Sequence, residues 1–226
     1  LPNPRVFFGN PATWQLGNQS NQATMSTTWF LFDLGNTVIK IAYERVLAAV
    51  CADASISRDE LVALLEEPGA YRDMERGAVS FYEFYEFLCD HAGYRGSIRE
   101  FHRVWTDFFD GTMPGIEDLL DRVRERYPVA FLSNSNEIHA EVIPTQFAGV
   151  FEKDDPFVFS HRIKCAKPDP DFFRHALETI GATAQETVFI DDLLENVLAA
   201  RALGMRAFQF TDSRTLTKEL EAEGLL

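Results

Sequence analysis

Apolar and polar positions change rhythm twice along this chain. At Thr28 to Phe32 a short, β-prone apolar run ends abruptly in Asp33. That pattern predicts a buried strand followed by a turn. From 42 to 126 the apolar residues recur at helical spacing instead. In "SRDELVALLEE" Ser57 caps with Glu60 three places on. In "SFYEFYEFLCDHAG" Phe81, Phe84, Tyr85 and Leu88 share one face, from Ser80 to a stop near Gly93. In "IREFHRVWTDFF" the stripe is Phe101, Trp105, Phe108 and Phe109, and "GIEDLLDRVRERYP" ends before Pro128.

Beyond Pro128 strands alternate with helices. The strands are Val129 to Leu132, Phe157 to Ser160, Thr187 to Ile190 and Arg206 to Phe210; the helices lie near 136–144, 170–180, 193–203 and 213–223. Such alternation predicts an α/β fold, a doubly wound parallel sheet with helices on both faces. The helical block after the first strand is too long for a simple crossover and reads as an inserted cap. The expected organisation is a core of 25–43 and 113–226, a helical cap of 44–112, and a poorly ordered tail of 1–24. That tail is rich in Asn, Gln, Gly and Pro and holds no acid.

Ligands of an open parallel sheet bind at the carboxyl ends of its strands. Here those ends are polar: Asp33 in "FLFDLGN", Ser133 and Asn134 in "VAFLSNSN", Asp191 and Asp192 in "VFIDD". Lys167 in "CAKPDPDFF" stands just before a Pro-started helix. If these strands are neighbours, three carboxylates, a hydroxyl, an amide and an ammonium converge. Clustered carboxylates repel and call for a hard cation such as Mg²⁺. A carboxylate can also attack phosphorus and form an aspartyl-phosphate. Mg²⁺ and Lys167 would then supply charge, with Ser133 and an adjacent backbone N–H on the phosphate oxygens.

In order, "FDLGNT", "LSNSN", "KPDPDFF" and "FIDDLLENV" resemble the four motifs of the haloacid dehalogenase superfamily. The likeness spans roughly 28 to 212, with the cap where the family's type-1 insertion lies. "FDLGN", "ERG", "LSNSN" and "DD" are most similar to its branch of bacterial α-D-glucose-1-phosphate phosphatases. The resemblance implies Asp33 as nucleophile and metal ligand, and Ser133 and Asn134 on the phosphate. Lys167 would bridge phosphate and Asp33. Asp192 would bind Mg²⁺, with Asp191 beside it as ligand or orienting acid. Most phosphatases of the superfamily carry a second Asp two places after the nucleophile, whose carbonyl binds the metal and whose side chain protonates the leaving group. Gly35 keeps only the carbonyl. The expectation that follows is a preference for leaving groups needing little protonation, such as the anomeric oxygen of a sugar 1-phosphate.

The function expected is Mg²⁺-dependent hydrolysis of a small phosphate monoester, glucose 1-phosphate being the leading candidate. Two alternatives stand beside it: a carbon–halogen hydrolase, and a non-catalytic binding protein that kept the fold. The chain has 226 residues, with 35 acidic against 21 basic and a formal net charge of −14. That balance argues against a nucleic-acid partner. No apolar run approaches the ~20 residues of a transmembrane helix. Three widely spaced cysteines, Cys51, Cys89 and Cys165, point to a reducing cytoplasm. The oligomeric state is left open.

Other residues have plainer readings. Asn196 reads as a polar brace for its loop, and the cap aromatics read as core, with Trp105 and Phe109 the best exceptions. His139 reads as a solvated or capping histidine with no assigned role. Glu75-Arg76-Gly77 reads as a helix end with glycine as its stop, ahead of a reading in which Arg76 reaches substrate.

Overall fold

The structure is a computed structural model and describes residues 28–66 and 69–226. The expectation for residues 1–24 lies outside the described residues. Five parallel strands form the central sheet: β1 (Trp29–Asp33), β4 (Val129–Ser133), β5 (Phe157–Phe159), β6 (Thr187–Asp191) and β7 (Arg206–Gln209). Their order is β5-β4-β1-β6-β7, so the chain winds outward in both directions from β1. The switch point falls at β1, between β4 and β6, and a crevice opens there.

Both faces of this sheet are covered. Phe30 and Phe32 of β1 belong to one apolar cluster and Leu31 to the other. This alternation explains why the strand reads as an unbroken apolar run: a parallel strand buries both faces. On the Leu31 side pack α9 (Pro170–Ile180) and α10 (Leu194–Ala202), through Phe172, Phe173, Val197 and Ala200. On the other side pack α6 (Ile116–Arg124), α7 (Glu137–Gln146) and α11 (Ser213–Ala222). The short α8 (Ser160–Ile163) follows β5 directly.

Between the sheet's first two strands in sequence come α1 (Tyr43–Ala52), α2 (Arg58–Glu66), α3 (Ala70–Glu75), α4 (Phe81–Ala92) and α5 (Ile98–Thr106). Helix α4 starts at a Ser80–Glu83 capping box and ends on left-handed Gly93, as its sequence predicts. The aromatic side chains of α4 and α5 share one continuous apolar cluster with Phe30 and Phe32 of the sheet.

The sequence reading missed one feature of this region. β2 (Ile39–Ile41) and β3 (Phe109–Thr112) pair antiparallel where the chain enters and leaves the helical block. Helix α5 stops at Thr106, so Phe108 and Phe109 do not continue its stripe. Arg45 holds the break, donating to the carbonyls of Asp107 and Phe109 at 2.8 and 2.9 Å. Among the described residues no helix is long and apolar enough to cross a membrane.

Candidate active site

Register brings the polar strand ends to one edge. Asp33 lies opposite Leu132, one residue short of Ser133, and Phe32 lies opposite Ile190, one short of Asp191. Lys167 reaches this edge from the loop before α9. Its Nζ is 2.5 Å from Asp33 Oδ1 and 2.7 Å from Asp191 Oδ2, and it donates to the Leu132 carbonyl at 3.1 Å. An ammonium has three N–H donors, and all three are placed. Burial pulls its pKa down, but Asp33 and Asp191 outweigh burial and raise it, so Lys167 stays charged.

Each partner is itself held. Asp191 is fully buried and accepts the Leu193 N–H at 2.9 Å and the Asn196 amide at 2.9 and 3.0 Å. Asn196 is thus the brace the sequence suggested. Asn134 ties two segments of the site together. Its amide group binds the Lys167 backbone at both ends, 2.9 Å to the carbonyl and 2.8 Å from the N–H. What Asn134 retains for a phosphate is its main chain. Ser133 is buried, and its hydroxyl makes only a long 3.3 Å bond to the Asn134 carbonyl.

Asp33, Asp191 and Asp192 each place a carboxylate oxygen within 4.8 Å of the others. Burial raises the pKa of Asp33 to about 7; Lys167 opposes the rise, and Asp191 and Asp192 add to it. Burial and then Asp191 raise Asp192 to about 6. Three carboxylates against one ammonium leave two negative charges to neutralise. A divalent cation with a preference for oxygen meets that need, so the donor set fits Mg²⁺. Gly35 adjoins Asp33 on the wall of the same cavity.

That cavity has a volume of about 520 Å³. Asp33, Ser133, Asn134, Lys167 and Asp192 line it from the sheet side, and Tyr71, Arg72 and Glu75 of α3 line it from the helical block with Arg76, the residue that ends that helix. Ser160 closes the cover: its hydroxyl donates to the Glu75 carbonyl at 2.5 Å and accepts the Ser135 N–H at 2.8 Å. The Lys164 ammonium donates to the Gly77 carbonyl. Gly77 is more than a helix stop. It is left-handed at φ 62°, and a Cβ there would lie 2.2 Å from the His161 carbonyl oxygen.

Two aromatic candidates separate. Phe109 lines the cavity, whereas Trp105 is 3% exposed and packs among Phe84, Phe101 and Phe108. His139 is buried rather than solvated. Its Nε2 lies 3.0 Å from the Trp105 carbonyl and its Nδ1 3.1 Å from the Asn136 amide. A carbonyl only accepts, which assigns the ring proton to Nε2. Burial depresses the His139 pKa to about 4, leaving it a neutral tie between α7 and α5.

The sequence reading did not single out Tyr71, and it read Glu75 only as part of a helix end. Their four-residue spacing puts them on one helix face, but nothing in it says what that face meets. Burial raises Glu75 to about 7, against the lowering effects of a Tyr71 hydrogen bond and of Arg72, Lys167 and Arg76.

With this site in place, the comparisons agree on a class. Residues 27–204 match the haloacid dehalogenase-like hydrolase family, and the chain belongs to it. It is 24% identical to a D-ribitol-5-phosphate phosphatase of Bacteroides thetaiotaomicron, over 84% of this chain and 95% of that protein. A local stretch of 54 residues is 50% identical to the sesquiterpene phosphatase astK of Aspergillus oryzae, covering 24% of this chain and 28% of that one. The fold is similar to a haloacid dehalogenase family enzyme of Bacteroides thetaiotaomicron crystallised with magnesium and inorganic phosphate. The TM-score is 0.71 at 26% identity, over 83% of this chain and 96% of that one.

Proposed function

We propose that this chain is a Mg²⁺-dependent phosphatase of small phosphate monoesters, working through an aspartyl-phosphate on Asp33. The observation that carries this reading is the buried Lys167 ammonium, held between Asp33 and Asp191 with Asp192 within reach. Mg²⁺, held by Asp33, Asp192 and the Gly35 carbonyl, would supply positive charge to the phosphate. The Asp33 carboxylate attacks phosphorus, and Lys167 balances charge on the phosphate oxygens. The Ser133 hydroxyl and the Asn134 main chain bind those oxygens. Asp191 orients Lys167. The phosphatase relatives and the magnesium–phosphate complex of a similar fold support the same reading.

The substrate class is a small sugar phosphate, with glucose 1-phosphate the first compound to test. The cavity falls within the ~300–1,000 Å³ typical of small-molecule sites. Its cover offers Tyr71 and Glu75 to hydroxyl groups, and exposed Arg72 and Arg76 at its rim draw an anion towards an otherwise acidic chain. A reducing cytoplasm suits the three free cysteines.

The test is a phosphatase screen over sugar phosphates, nucleotides and phospho-acids, with and without Mg²⁺, using Asp33→Asn as control. Turnover that needs both Mg²⁺ and Asp33 is the expected result. Metal-independent halide release from chloroacetate would replace this reading with the carbon–halogen one. No turnover of any ester would favour a binding protein.

A further inference from the structure

A family member with glycine two places after its nucleophile has no acid there to protonate the departing oxygen. We infer that Glu75, supplied by helix α3 of the cover, is the general acid of this enzyme and takes over the role that Gly35 leaves open. The inference rests on the phosphatase reading above. Glu75 lines the same cavity as Asp33, Gly35 and Lys167, and its carboxyl group feels the Lys167 charge. Ser160 fixes its position by holding its main-chain carbonyl against the sheet, and Tyr71, one turn earlier on the same helix, lines the cavity beside it.

A general acid must hold its proton near neutral pH. Burial gives Glu75 that property, at about 7. The groups that set it are Tyr71 and Arg72 on its own helix, Arg76 at that helix's end, and Lys167. Asp33 and Asp192 line the cavity from the sheet side. On neighbouring elements His161 contacts the Ser135 carbonyl, Lys164 the Gly77 carbonyl and Glu83 the Ser80 cap, while Glu66 acts on Tyr43.

The proton balance closes over one turnover. As Asp33 oxygen bonds to phosphorus, the ester P–O bond breaks and its electron pair stays on the leaving oxygen. That oxygen takes the Glu75 proton and departs as an alcohol. The Glu75 carboxylate then takes a proton from water as the water oxygen attacks the phosphorus. The Asp33–phosphorus bond breaks, its electron pair returns to the Asp33 carboxylate, and phosphate leaves with Glu75 protonated again. The preference for activated leaving groups expected from Gly35 should therefore appear in Glu75→Gln rather than in the native enzyme.

The experiment measures kcat/KM for native protein and Glu75→Gln with Mg²⁺ on p-nitrophenyl phosphate, phenyl phosphate and glucose 6-phosphate. General acid catalysis contributes typically 10²–10⁴-fold. Glu75→Gln should lose about that factor on glucose 6-phosphate and little on p-nitrophenyl phosphate, whose leaving group needs no proton. The native rate on glucose 6-phosphate should fall above about pH 7, and that limb should vanish in Glu75→Gln. Gly35→Asp added to Glu75→Gln should restore alkyl ester turnover. Gly35 is not at positive φ, and the atom nearest a new Cβ is the flexible end of Ile41, Cδ1 at 2.7 Å. An equal loss on all three esters would overturn the assignment of Glu75 alone. Failure of the native protein to hydrolyse even p-nitrophenyl phosphate would overturn the phosphatase reading with it.

Discussion

Asn134 holds Lys167 by the backbone, donating to its carbonyl at 2.9 Å and accepting from its N–H at 2.8 Å. The two residues come from different strand–helix units. Through this double bond the end of β4 sets where the ammonium stands between Asp33 and Asp191. Asn134→Ala removes both contacts from a partly buried segment and should cost about 1–3 kcal/mol of stability. A displacement of the ammonium by about 1 Å should lower kcat roughly 10²-fold. Urea unfolding and steady-state kinetics check the two effects separately. A lower kcat together with weaker inhibition by inorganic phosphate, whose charge Lys167 balances, would localise the damage to Lys167.

Lys167 and Lys164 lie three residues apart and should fail differently. Lys167→Ala removes a preorganised charge and should reduce kcat about 10²–10³-fold. Lys164→Ala releases the Gly77 carbonyl and loosens the cover instead. Its effect should fall on KM, with kcat largely retained. Equal losses in kcat for both would contradict this division.

Trp105 and Phe109 should also separate. Trp105→Ala opens a hole in the aromatic cluster and should cost about 3–5 kcal/mol, with the substrate profile intact. Phe109→Ala changes the cavity wall and should shift relative kcat/KM among sugar phosphates. Thermal melts and a substrate panel on both variants read the contrast directly. An unchanged panel for Phe109→Ala would remove it from the pocket.

His139 makes folding sensitive to acid. Its native pKa is about 4 against an ordinary 6.5. Between those values the unfolded chain binds a proton that the native one refuses, so stability contributed by neutral His139 falls as pH drops from 6.5 towards 4. The slope is at most about 1.4 kcal/mol per pH unit. His139→Phe should flatten the stability profile in that window, while lowering stability at pH 8 by leaving the Trp105 carbonyl and Asn136 amide unpaired. Glu75, Asp33 and Asp192 titrate with the opposite sign, so the native-minus-variant difference from urea unfolding at several pH values is the quantity to compare. Parallel profiles would show that His139 does not carry the effect.

Much of this molecule was readable locally. The run at 29–33 is apolar at every position up to Asp33, because a central parallel strand buries both faces and its carboxyl end meets the crevice. The same reasoning located Ser133, Asp191 and Asp192. Helix starts at Ser57 and Ser80 show in their own few residues, because a cap is satisfied within one turn.

Tertiary structure alone decided what those residues meet. Asp33 and Lys167 are separated by 134 positions, and only the strand order that sets β4 and β6 against β1 brings them together. The β2–β3 ribbon depends on pairing between segments about seventy residues apart, so neither short strand announces itself. Helical periodicity marks an apolar face without saying what covers it. For that reason Trp105 and Phe109 looked alike in sequence, the Asn134 clamp on Lys167 did not show, and Glu75 looked like the end of a helix. The local chain defines which side chains can react; packing between distant segments determines which of them share a cavity.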